Sequence, residues 1–129
     1  MIRLGRNLLV ALQGDLDDET ILAIEEHLTD RLDHEPIDGV LIDVGGLFFV
    51  DSFLARCLHR MASIISVMGA DAVVVGIRPA VAITLVELGL SLQGLKTALN
   101  AEHGVRLLAE QKRSRHGASP RMSRDNQAE

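Results

Sequence analysis

Three short aliphatic runs, "LLVAL" (8–12), "VLIDV" (40–44) and "AVVVGI" (72–77), recur along the chain with segments of helical period between them. Runs this short, rich in Val, Ile and Leu and bounded by Gly or Asp, read as strands buried in a sheet. Strands separated by helices need crossover connections, so the pattern predicts an α/β fold with a parallel or mixed sheet. "MIRL" (1–4) can add an edge strand, folding back onto 8–12 through a turn at Gly5-Arg6-Asn7.

The helical segments have distinct faces. Ile21, Ile24, Leu28 and Leu32 form one apolar stripe, while Glu25, Glu26, Asp30, Arg31 and Asp33 are assigned to the outer side. Asp17-Asp18-Glu19 suits the positive end of that helix dipole. A second helix begins near Ser52, carries Leu54, Cys57, Leu58, Met61, Ile64, Ile65 and Met68 on one side, and stops at Gly69; Arg56, His59, Arg60 and Ser63 lie on its other side. A third starts at Pro79 and ends by Gly89, and Asn100 caps a fourth that packs through Val105, Leu107 and Leu108. From Lys112 the apolar period is lost. The expected organisation is one domain over 1–111 and a flexible tail over 112–129.

Composition removes several function classes. A chain of 129 residues with 47% hydrophobic residues builds one core, and with no Trp, no Tyr and three Phe that core is aliphatic. Such a chain offers few rings on which bases or sugars stack, and a net charge of −5 opposes phosphate backbones, so no nucleic-acid partner is expected. Cys57 alone forms neither an internal disulfide nor a multi-cysteine zinc site. No apolar stretch reaches membrane-span length and no signal peptide is recognised, which leads to an expectation of a cytoplasmic protein without a membrane partner.

Enzyme motifs are equally sparse. The histidines at 27, 34, 59, 103 and 116 never fall three or four apart, "GDLDDE" (14–19) is too acidic to cradle phosphate, and Ser52 lacks a nucleophile elbow. No catalytic residue, metal or cofactor is therefore expected. One competing class is a receiver-like phosphoacceptor domain, with Asp43 at a strand end, Asp15, Asp17 and Asp18 after an earlier strand, and Thr84 and Lys96 downstream.

"VDSFLARCLHR" (50–60) then poses the central question, because Asp51-Ser52 separates an apolar run from an amphipathic one. By itself Ser52 reads as a helix cap. A helix start also tolerates a phosphoryl group, since free backbone N–H groups and the dipole favour anions there, and the added charge of about −1.5 to −2 would disturb a docked partner.

The segment "LIDVGGLFFVDSFLARCLHRMASIISVMGADAVVVGIRPAVAITLVELGL" (41–90) resembles the STAS domain family, the sulfate-transporter and anti-sigma-factor-antagonist module, and within it the small stressosome antagonists of the RsbS type. "VDSFLA" and "MGADAVVVGIRPAVAITLVELG" are its most specific parts, and the similarity runs from about Leu8 to Leu108. It implies a mixed four- to five-stranded sheet with about four helices mainly on one face.

The resemblance also implies a non-catalytic scaffold that sequesters a serine/threonine switch kinase of the GHKL type and releases it when phosphorylated. Partners implied with it are larger STAS paralogues bearing N-terminal sensor domains, a resetting serine phosphatase, and a homo- or hetero-oligomer. Ser52 matches the phosphoacceptor, and Thr84 matches a second phosphoacceptor of the larger paralogues; its structural alternative is a hydroxyl bonded back to the preceding turn. Asp51, Phe53, Arg56 and His59 are the expected kinase-docking residues. Ser52-Phe53-Leu54 departs from the Ser-Ser-Gly-like sequence of antagonists that bind an anti-sigma kinase directly, which favours the RsbS-type branch. A passive STAS subunit of a transport system is a third class.

Overall fold

A computed structural model describes residues 1–47, 51–87 and 95–124, with side chains as far as Ser114. In chain order the elements are β1 (Ile2–Leu4), β2 (Asn7–Gly14), α1 (Asp18–His34), β3 (Gly39–Leu47), α2 (Ser52–Val67), β4 (Asp71–Val75), α3 (Pro79–Glu87), β5 (Lys96–Ala98) and α4 (Ala101–Arg124). They form a five-stranded mixed sheet in the order β1-β2-β3-β4-β5, with β1 antiparallel to β2 and every other pair parallel.

The aliphatic runs become the three central strands. Val40, Leu41 and Ile42 of β3 and Val73, Val74 and Val75 of β4 are almost completely buried, because both faces of the sheet are covered. Leu8, Val10, Leu12, Val40, Ile42, Val44 and Val74 pack beneath α1, α2 and α3, together with Ile21, Leu28, Leu58, Met61, Ile65, Val81 and Leu85. On the opposite face Leu41, Val73, Val75 and Ala98 pack against Leu108 of α4. Three helices thus cover one face and a single helix the other.

Local chemistry explains the boundaries. Gly5, at φ +63°, turns β1 into β2 at the expected Gly5-Arg6-Asn7 corner, pairing Leu4 with Asn7 and Ile2 with Leu9. Asp17 caps α1 by accepting the Thr20 N–H at 2.8 Å, and the Thr20 side chain together with that N–H holds its carboxyl below the usual range. Gly69, at φ +90°, follows the last turn of α2, where the Met68 N–H donates to Ile64 O. Asn100 Oδ1 accepts the His103 N–H at 2.8 Å, so the expected cap of α4 is in place.

Three features differ from the sequence reading. β4 begins at Asp71 and ends at Val75, since Gly76 takes φ +81° and leaves the extended conformation. β5 has only three residues and no aliphatic run of its own, so its presence depends on pairing with β4. Glu25, assigned to the outer face of α1, is instead buried, and its Oε2 lies 2.9 Å from Arg60 Nε on α2. α4 itself runs from Ala101 through Arg124. Gly89, the expected stop of α3, lies outside the described residues.

Candidate functional site at the start of α2

Because β2, β3 and β4 are parallel, their C-terminal ends lie along one edge of the sheet. A small cleft at this edge is lined by Gly14, Asp15, Leu16, Leu47, Asp51, Phe53 and Leu54. Arg78, just after β4, braces it by donating from Nη2 to Leu47 O at 2.6 Å.

Asp51, rather than Ser52, is the N-cap of α2. Its extended backbone and its Oδ1, which accepts the Leu54 N–H at 3.0 Å, satisfy the cap geometry, while Asp51 O accepts the Ala55 N–H at 3.1 Å. The reading of Ser52 as the cap is therefore corrected: an aspartate carboxylate one residue earlier is already bonded to the orphan N–H. Ser52 becomes the first helical residue, exposed, with no side-chain hydrogen bond among the described residues.

The site residues then separate by face. Ser52, Arg56, His59 and Ser63 follow a 4-3-4 spacing, so they share one stripe of α2. Arg56 is exposed and His59 half-buried, beside a groove that continues along Ala62, Ser63, Ser66, Val67 and Leu95. Phe53 turns the other way, half-buried against the main core. Asp51, Ser52, Arg56 and His59 are thus brought together on the solvent side, and Phe53 anchors their helix.

Thr84 stands apart on α3, where its Oγ1 donates to Ala80 O at 3.0 Å. Its hydroxyl is engaged by its own helix, the structural alternative considered above. Asp43 follows Leu41 on the α4 side of β3, and its Oδ1 accepts the Gly45 N–H at 2.8 Å beside Gly76. Asp15, Asp17, Asp18 and Asp43 do not come together as a ligand set: among the described residues no three His, Cys, Asp or Glu side chains are placed to hold a metal ion. Cys57 is buried behind this surface, and burial pushes its thiol upward, which keeps it protonated and unreactive.

The STAS domain family model matches residues 1–101. The chain belongs to the STAS domain family. Among curated relatives it is similar to the RsbT co-antagonist protein RsbRA of Bacillus subtilis, with 30% identity over 99 residues, which cover 77% of this chain and 36% of that protein. The chain thus spans about a third of the length of that relative.

Two solved structures extend the likeness to the stressosome. RsbS of Moorella thermoacetica, in a form with a serine-to-glutamate substitution, superposes with a TM-score of 0.73 at 33% identity, covering 87% of this chain and 95% of that one. A chain from the stressosome, described as a signal integration and transduction hub, gives a TM-score of 0.71 at 33% identity, covering 87% and 97%. Both span nearly their whole length, so this STAS domain is of the stressosome type. No helix among the described residues is long and apolar enough to cross a membrane.

Proposed function

We propose that this chain is a non-catalytic, phosphorylation-controlled scaffold of a stressosome-type complex in the cytoplasm, and that Ser52 is its phosphoacceptor. The unmodified stripe of Asp51, Ser52, Arg56 and His59 docks a serine/threonine switch kinase of the GHKL type. Larger STAS paralogues complete the assembly, and a serine phosphatase resets it.

One observation carries the reading: Asp51 takes the cap of α2, which leaves the Ser52 hydroxyl exposed and uncommitted at the first helical position. A phosphoryl group added there meets the positive end of the helix dipole and displaces no structural bond. It also puts about −1.5 to −2 charges beside the Asp51 carboxylate, so its effect falls on a docked partner more than on the fold. Thr84, bonded to Ala80 O, is a second and poorer acceptor because modification breaks that bond.

The test is incubation with the cognate kinase and ATP followed by phosphosite mapping of wild type and Ser52→Ala. Phosphate at Ser52 in wild type and none in the variant is expected; undiminished label in the variant removes Ser52 from the model.

A further inference from the structure

Residues 112–124 contain Lys112, Arg113, Arg115, Arg121 and Arg124 and no acidic residue, although the whole chain carries a net charge of −5. Residues 1–111 hold the opposite sign, with 16 Asp and Glu against eight Lys and Arg. The basic segment lies beyond the family match, which ends at residue 101, so the STAS core does not account for it.

Its placement is defined by α4. Lys112 Nζ meets Asp38 Oδ2 at 2.6 Å immediately before β3, where α4 reaches the N-terminal edge of the sheet. The helix then continues through Arg124, so its backbone runs about 18 Å beyond Lys112 at 1.5 Å per residue. α1 of the same copy packs on the opposite face of the sheet from α4.

A complementary surface exists on α1. Glu19, Leu22, Glu26, Asp30 and Asp33 recur at 3-4-4-3 spacing and are all exposed, giving an acidic stripe about 21 Å long. A shallow groove beside it is lined by Glu26, Thr29, Asp30, Asp33 and Met68, and Leu22 and Met68 supply apolar contact at 55% and 39% exposure. Among the described residues no Lys or Arg pairs with these four carboxylates; His34 Nδ1 lies 3.2 Å from Asp30 and 3.9 Å from Asp33.

We infer that the basic helix 112–124 of one copy docks along the acidic α1 stripe of a second copy. Sign and length both match, and the small apolar contribution makes this an electrostatically steered, salt-sensitive contact. It is independent of the Ser52 reading.

The experiment is sedimentation velocity on the full chain at about 0.05 M and about 0.5 M salt. Wild type should self-associate at low salt, with a dissociation constant at least about tenfold weaker at high salt. Arg113→Glu/Arg115→Glu and, separately, Asp30→Arg/Asp33→Arg should each weaken association at least about tenfold, and an equimolar mixture of the two should restore it. Should the α1 reversal fail to fold, Glu26→Gln/Asp30→Asn/Asp33→Asn gives the same readout. Unchanged association in either variant, no restoration on mixing, or a monomer at both salts overturns the proposal. So does loss of binding to duplex DNA in the arm variant while its self-association stays intact.

Discussion

The Glu25 carboxylate is buried between α1 and α2, and the Arg60 guanidinium reaches it from the solvent side at 2.9 Å. Arg60 Nε also lies 3.1 Å from the second carboxylate oxygen, so one exposed side chain satisfies a charge that water cannot reach. Removing the cation strands the anion. Arg60→Ala should therefore lose about 1–3 kcal/mol of stability in urea unfolding, and Glu25→Gln/Arg60→Ala should recover part of that loss.

The division of labour between Asp51 and Ser52 is measurable in the same assay. Asp51→Ala removes the bond to the Leu54 N–H and should cost about 1 kcal/mol. Ser52→Ala removes no structural bond and should stay within about 0.5 kcal/mol of wild type. Reversed magnitudes would return the cap to Ser52.

α4 is held against its face of the sheet by a close approach at Gly104. A Cβ at this position would overlap Leu41 Cδ2 and come within 2.9 Å of Val75 Cγ1. Gly104→Val should destabilise the domain by about 1–3 kcal/mol through overpacking, since both neighbours are buried strand residues. Thermal unfolding followed by circular dichroism checks it.

Asp38 gives the fold an acid-sensitive tie. Hydrogen bonds from the Arg6 guanidinium and the Lys112 ammonium hold its carboxyl far below the ordinary aspartate value of 3.8. A carboxyl lowered in the folded state stabilises at pH above its unfolded value and loses that contribution as pH falls through its folded value. The loss should thus begin below about pH 4, tempered by partial solvent screening. Asp38→Asn should be less stable than wild type near neutrality, with the difference narrowing in that acid range; a constant difference down to about pH 2 would contradict the ion-pair origin.

These relationships also show what could be read in advance. β2, β3 and β4 were legible because each is an aliphatic run buried on both faces, and the β1–β2 corner because Gly5 supplies a positive φ. β5 was not, since Lys96-Thr97-Ala98 carries no strand signal apart from its partner. Glu25 was misassigned on charge alone: its spacing, four after Ile21 and three before Leu28, already placed it in the buried stripe. Its partner Arg60 was invisible because pairing across two helices is a tertiary property. At the site, the surface of α2 was legible from period, but Asp and Ser are both good caps, and only geometry assigns the role to Asp51.

The most direct test of the central claim is the affinity of the cognate switch kinase for the chain with and without phosphate on Ser52, measured by calorimetry beside the melting temperature of each form. The account predicts at least about tenfold weaker binding of the phosphorylated form, about 1.4 kcal/mol, with the melting temperature essentially unchanged. Equal affinity of the two forms, or loss of binding only together with loss of the fold, would contradict it.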